Sequence, residues 1–443
     1  MSKKNIMNNS NKIYDSKYFM MILMNLLFSL SLGMNNNLYS LLAIACLMVL
    51  IIFGNTLSDF YTYIFLIPFS SLVTVHGKDI FFVFLFISSF KLIAENHNKK
   101  VPIIWILSFF SIISIEFIYD FLNCNIGNFM YILAVLTYFF IFINYIKIKD
   151  LSLNYMINCI ISTSFLAIFV IFLISGGNWE VFITSTDIGF RFGAQASDLG
   201  GSMGVPIYCL TILSCSFISL LKIRSQLIKK VFLIVIMIFS VIVGLMTISR
   251  VFITGLITFI ALVLLSIIQE KKKGKLSAIV ILTIIVFAIF FYYNIDIVLN
   301  FIEKIVLRNS EDISTGRFYI WKDCVEYLYK NPIALLFGRG TLNYIQIGAY
   351  KSYKFSMSAH NLFLDGLMSW GICGFSIFIF ALYKFLKNNC KELKMYITIL
   401  MSIPLIVWLS MSLTMGSFNY FKTYMYILAF VLISINCLNE LKV

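Results

Sequence analysis

Continuous apolar runs of about 18–22 residues recur along nearly the whole chain. A helix of that length crosses ~30 Å of hydrocarbon, whereas the strands of a membrane barrel would alternate apolar and polar residues. Fourteen runs are marked, at roughly 18–34, 38–54, 59–75, 79–94, 101–119, 126–146, 155–175, 203–221, 231–248, 251–268, 276–293, 360–383, 395–414 and 419–437. The third and fourth are separated by only His76, Gly77 and Lys78, and one of them also reads as re-entrant. With 60% hydrophobic and 12% charged residues, the chain has too little polar surface to cover a water-soluble core. The predicted fold class is an all-α polytopic membrane protein with about 12–14 transmembrane helices. The segment Met1–Asn5 leads into the first run without a small-residue cleavage site, so that run reads as a retained helix.

The net charge of +14 would raise nucleic-acid binding in a soluble protein. Here the basic residues cluster in short loops, the pattern of cytoplasmic helix flanks, and no nucleic-acid partner is expected. Placing the N-terminus in the cytoplasm puts 22 of the 34 Lys and Arg residues on that side, among them Lys147, Lys149, Lys271 and Lys384. The short external loops and their flanks then hold only Lys78, Arg250 and Lys422. An even span count and a cytoplasmic C-terminus follow. Residues 1–17 read as a cytoplasmic tail, disordered over its Asn-rich part. Residues 18–293 read as helices 1–11 with an external loop at 176–202, and 360–443 as helices 12–14. Between them, 294–359 is a large external loop ahead of the third-last helix. The nine Cys lie mostly inside apolar runs without a CxxC pair or a Cys/His ligand spacing, so neither metal nor disulfide is expected.

The 294–359 insert carries eight basic and six acidic residues amid aromatics. Its length exempts it from the positive-inside rule. From Thr315 to Asn331 it reads as an amphipathic helix capped by Thr315, with Trp321, Val325 and Leu328 on one stripe, lying in the outer interface. A turn punctuated by Gly338 and Gly340 then presents Arg339. His360 follows Ser358, the expected N-cap of the next span. A helix N-terminus disfavours imidazolium, so His360 is expected to be neutral and able to take a proton. Asn361 is placed to orient that histidine or a sugar hydroxyl, and Gly366, Gly371 and Gly374 give the span a thin packing face. Arg250 sits between two apolar runs with almost no loop, where an arginine faces a cavity, a partner or the headgroups. Arg191 lies in the other external segment. The topology thus puts Arg191, Arg250, Arg317, Arg339 and His360 on one side of the membrane. Guanidinium forks grip phosphate oxygens and stabilise a departing diphosphate, and a neutral histidine deprotonates an attacking hydroxyl. A substrate with a membrane part and a diphosphate, such as a polyprenyl-diphosphate-linked sugar, fits that set.

The ordered set Ser249-Arg250, Gly316–Trp321, Asn331-Pro332, Gly338-Arg339-Gly340 and His360-Asn361 with Gly371 and Gly374 resembles the O-antigen ligase/polymerase superfamily. The resemblance covers roughly 185–385 in detail. It implies an inverting, metal-independent glycosyltransferase of the bacterial plasma membrane, needing no cofactor and working at the outer face. The donor would be an undecaprenyl-diphosphate-linked oligosaccharide. His360 would be the catalytic base or would position the acceptor. Arg250, Arg317, Arg191 and Arg339 would bind the diphosphate, and Asn361 would contact or orient the acceptor. Membrane lipid, a flippase and a chain-length regulator are the implied partners. A repeat-unit polymerase for O-antigen or capsule is preferred to a ligase, which differs in its acceptor.

Three other classes of protein also fit a many-span chain with this insert. A lipid-linked oligosaccharide flippase would place its charges in a central cavity between two related halves. A peptidoglycan-type glycosyltransferase with an external carboxylate would draw on Glu311, Asp312, Asp323 or Glu326. A receptor or scaffold would use the insert as a docking surface.

Overall fold

The computed structural model describes residues 3–75, 78–96, 101–121, 126–146, 150–178, 192–193, 197–199, 201–222, 227–269, 317–341, 346–350, 353–356, 359–389, 402–413 and 421–440, with residues 292, 295, 296, 299 and 303. Nearly all of them are helical. The N-terminal half comprises α1 (Lys3–Met34), α2 (Asn37–Phe53), α3 (Thr56–Leu66), α4 (Phe81–Glu95), α5 (Ile103–Glu116), α6 (Ile126–Tyr145) and α7 (Leu153–Ile174). The remainder comprises α8 (Gly201–Lys222), α9 (Leu227–Met246), α10 (Arg250–Gln269), α11 (Arg317–Lys330), α12 (Pro332–Phe337), α13 (Leu362–Asn389), α14 (Ile403–Ser412) and α15 (Phe421–Glu440). Seven helices are long and apolar enough to cross a membrane: Ser16–Met34, Ile103–Phe121, Ile126–Tyr145, Leu153–Ile174, Gly204–Leu221, Leu227–Met246 and Leu362–Asn389. Asn37–Phe53, Arg250–Leu265, Ile403–Ser412 and Phe421–Cys437 are shorter apolar helices. The protein is a polytopic helical membrane protein. The run expected at 276–293 lies outside the described residues, apart from Tyr292.

Two expectations change. The stretch read as a partly disordered tail is helical from Lys3 onward. The run at 59–75 is not a full span: α3 has 11 residues and passes into a 3-10 turn, Ile67–Leu72. Eleven residues rise only ~17 Å. Pro68 ends the helix because it has no N–H to donate. Beyond it, β1 (Thr74–Val75) pairs antiparallel with β2 (Lys78–Asp79).

Aromatic packing joins distant helices into one core. Phe60 of α3 stacks on Phe142 of α6 at 4.3 Å, and Phe81 of α4 meets Phe421 of α15 edge-on at 4.4 Å. Large apolar side chains such as Phe53, Phe90, Ile103 and Ile228 are exposed on the helices. In a membrane these are the lipid-facing positions. Further contacts pair α4 with α6, α7 with α8, α8 with α9, α10 with α14, and α5 with α13.

The feature that positions the insert is a break in α13 at Gly371 (φ +63°, ψ −176°). That region of backbone space is essentially open to glycine alone. The break frees carbonyls, and a freed carbonyl at membrane depth needs a protein donor. The turn after α12 supplies it: Arg339 N–H donates to Met368 O (2.9 Å) and Ser369 O (3.2 Å), and Gly340 N–H to Ser369 O (2.9 Å). Gly338 (φ +75°) lies against the Ser369–Trp370 backbone, and Gly371 against the Leu336–Phe337 backbone, so a Cβ at either would collide with main chain. The two glycines interlock the insert with the broken helix. Gly371 is therefore a hinge of the backbone, while Gly374 keeps the packing role, facing Ile115 of α5.

A carboxylate from the fifth helix fastens the same place. Glu116 is fully buried where α5 passes into a π turn, Phe117–Phe121. It accepts from Thr341 N–H (2.9 and 3.1 Å), from the Thr341 hydroxyl, and from Trp370 Nε1–H (2.7 Å). One side chain thus holds both the end of the turn and the helix that the turn enters. Beyond Thr341 the insert continues as an antiparallel hairpin of β3 (Gln346–Tyr350) and β4 (Tyr353–Ser356).

Candidate functional site

The insert helix α11 buries Ile320, Cys324 and Leu328. The expected stripe was Trp321, Val325 and Leu328, but Val325 is 57% exposed. The buried face is turned by part of a residue toward Ile320 and Cys324, with Leu328 common to both stripes, and a polar contact that hydropathy spacing does not encode lies at its edge. Trp321 sits at the edge of the buried face and donates its Nε1–H to Ala359 O at 2.8 Å. Ile320, Cys324 and Ala359 form a small core of their own, with Trp321, Tyr327, Leu364 and Met368 around it. Thr315 and Ser358, the expected caps, lie outside the described residues.

This docking sets the site. Arg317 is four residues before Trp321 and so lies on the same face of α11. Ala359, which Trp321 grips, immediately precedes His360. The Arg317 and His360 side chains accordingly interact: burial first, then the Arg317 charge, hold the imidazole below its ordinary pKa. Neutral His360 was expected from the helix terminus, and the structure supplies these two causes. The residue stands one position ahead of the cap, since Asn361 Oδ1 accepts from Phe363 N–H (3.0 Å) and Leu364 N–H (3.2 Å). Asn361 Nδ2 donates to Leu413 O at 3.3 Å, so this side chain links α13 to the end of α14. His360 itself has φ +51°, in the left-handed region.

Arg250 is the first residue of α10. It follows a turn so tight that Ile248, a β-branched residue, takes φ +50°. The turn brings the Phe252 ring against Gly244. Arg250 is half-buried and near Arg317, whose guanidinium is held below its ordinary range by burial and then by the Arg250 charge. Charge thus links residues from three separate parts of the chain in sequence, Arg250 to Arg317 and Arg317 to His360. The two guanidiniums raise the positive potential there, and Arg317 depresses proton binding by the imidazole.

Arg339 is placed elsewhere. Its guanidinium lies over the Tyr327 ring, 4.9 Å from the centroid, and Tyr327 is ten residues, ~15 Å, along α11 from Arg317. Arg191 lies outside the described residues. Its neighbour Phe192 is buried and donates its N–H to Met246 O at 3.1 Å, at the α9 end of the turn that leads to Arg250. Of the carboxylates weighed for the alternative glycosyltransferase, Glu311 and Asp312 lie outside the described residues. Glu326 is exposed and paired with Lys330 at 2.6 Å, which lowers its pKa. Asp323 is half-buried on α11.

Sequence reading passed over Glu116 and Asp365. Each is a carboxylate inside an apolar run, the one signal that would have marked it.

Residues 232–379 match a family model described as O-Antigen ligase. The match spans α9, α10, the insert and most of α13, and so includes Arg250, Arg317, Arg339 and His360. A search among curated proteins found no match. The multi-span helical fold and the match over 232–379 are consistent with the O-antigen ligase/polymerase superfamily.

Proposed function

We propose that the protein is a polysaccharide polymerase that joins undecaprenyl-diphosphate-linked oligosaccharides at the outer face of the plasma membrane, with both termini in the cytoplasm. The observation that carries this reading is the convergence of Arg250, Arg317 and His360 from three separated segments. An anion is what two neighbouring guanidiniums are suited to bind, and a diphosphate offers enough oxygens for both. In the reaction the acceptor hydroxyl oxygen attacks the donor's anomeric carbon from the face opposite the leaving group, which inverts that centre. A C–O bond forms and the bond to the lipid diphosphate breaks, its electron pair leaving on the diphosphate oxygen. Arg250 and Arg317 stabilise that charge. His360, neutral through burial and its cationic neighbour, receives the hydroxyl proton at a ring nitrogen. Metal independence is part of the proposal, with guanidiniums in the role a divalent cation would otherwise take. A flippase that delivers the donor and a regulator of chain length are the partners such a reaction needs.

Deletion of the gene and complementation with His360→Ala or Arg250→Ala tests the assignment. Both variants are expected in the membrane at normal level, with long-chain surface glycan lost. Normal ladders from both would sink it. Polymerase and ligase separate in membranes supplied with the lipid-linked glycan extracted from the deletion strain. A ladder on that lipid means polymerase; a single transfer to a different lipid acceptor, without a ladder, means ligase.

A further inference from the structure

The loop that carries His360 is held from both sides at one residue. Ala359 gives its N–H to Asp365 Oδ1 at 2.7 Å, and its carbonyl takes the Trp321 Nε1–H at 2.8 Å. The Asn361 backbone also favours the charged Asp365 carboxylate. The backbone on either side of His360 thus faces a single side chain. Between them His360 takes φ +51°, a conformation that L-residues other than glycine adopt only where their surroundings impose it. Asp365 lies in the first turn of α13 and is 3% exposed. Its Oδ2 is buried and meets no hydrogen-bond partner among the described residues, so the carboxylate serves the loop and is shielded from solvent. The Trp321 arm extends from α11, one turn after Arg317.

We propose that Asp365 and Trp321 are positioning residues that clasp Ala359 from opposite sides and hold the His360 imidazole in register with Arg317. This rests on the reading of His360 as the proton acceptor. Cutting either arm lets the loop leave the left-handed conformation and separates the base from the diphosphate site. Misplacement by ~1 Å is enough to lower turnover by about 100-fold. Loosening also lets water reach the imidazole, which returns its pKa toward the ordinary value and moves the acid limb of the rate profile to higher pH.

The test uses full-length protein in membranes and the lipid-linked glycan extracted from the deletion strain. Asp365→Asn keeps the Oδ1 acceptor and puts its amide where Oδ2 has no partner. It is expected to keep kcat within about threefold. Asp365→Ala is expected to lower kcat by about 10- to 100-fold with little change in KM, and to shift the acid limb upward. Trp321→Phe keeps an aromatic side chain and removes the Nε1–H, and is expected to move both quantities in the same direction. Cys324, buried against this loop with its thiol pushed up to about 12 by burial and then by the Asp365 charge, reports the clasp without activity. Its labelling by maleimide, followed by mass spectrometry, is expected to speed up in Trp321→Phe, which leaves the Asp365 charge in place. An unchanged kcat and acid limb in Asp365→Ala overturns the proposal. So does an equal loss in Asp365→Asn, which would show that the charge itself is needed. If Asp365→Ala does not fold, an unchanged profile in Trp321→Phe decides against it. If His360→Ala proves fully active, the functional reading falls, and faster Cys324 labelling in Trp321→Phe then shows whether the clasp exists on its own.

Discussion

Replacing Glu116 by alanine removes the acceptor for two fixed buried donors, Thr341 N–H and Trp370 Nε1–H, and for the rotatable Thr341 hydroxyl. Each fixed donor left without a partner costs about 1–3 kcal/mol, so the pair costs on the order of 4 kcal/mol. That energy acts where the Gly338–Gly340 turn enters the break in α13, so its effect is local opening of that turn. A loss of about 4 kcal/mol raises the open population by about 10³, at 1.4 kcal/mol per tenfold. Trypsin cleavage after Arg339, followed by mass spectrometry on the purified protein, reads this population while reclosing outpaces cleavage. Cleavage is expected to accelerate by about 10³ in Glu116→Ala. Glu116→Gln retains one acceptor oxygen, loses one donor partner, and is expected to fall between the two at about 10- to 100-fold. Wild-type cleavage at Arg339 in Glu116→Ala would refute the argument. An Arg339 site opened more by glutamine than by alanine would refute it equally.

Gly371→Ala adds a Cβ that meets the Leu336 and Phe337 backbone in a glycine-only conformation. A stability loss of at least ~1–3 kcal/mol is expected, and a thermal melt equal to wild type would place the break elsewhere. Turnover should depend on neutral His360, whose folded pKa lies below its ordinary value. Activity is therefore expected to hold as pH falls to 6.5 and to drop only below it, and an acid limb above that pH would contradict the burial argument. The stability sign agrees: a depressed pKa favours the folded state above the unfolded value and loses that advantage as pH falls. Arg317→Lys keeps the charge but not the fork, so KM for the extracted donor should rise by about tenfold, whereas a wild-type KM would exclude two-point phosphate contact. A cysteine at Lys330, an exposed position on α11, should label with an impermeant reagent from the outer side of intact cells; labelling only from the cytoplasmic side would reverse the topology.

Membrane class and most span positions were legible in the sequence. Hydropathy and charge along consecutive residues are local properties, and lipid imposes one local rule, that a spanning segment must be apolar and satisfy its own backbone. The same rule made Arg250 conspicuous, since an arginine between two apolar runs stands out without any partner being known. The local reading faltered where a contact between distant residues outweighed it. The buried face of α11 has the Trp321 bond to Ala359, 38 residues on, at its edge, and the hydropathy stripe points part of a residue away. Gly371 reads as a packing glycine until the turn at Gly338 is seen inside the break it makes. Glu116 reads as an oddity in an apolar run until Thr341, 225 residues later, donates to it. Which residues are apolar, charged or able to take a proton was fixed by the order of amino acids. Which arginine stands beside the histidine, and what holds that loop in place, was decided only by tertiary contacts, because chain entropy and packing select among pairings that spacing along the chain leaves equivalent.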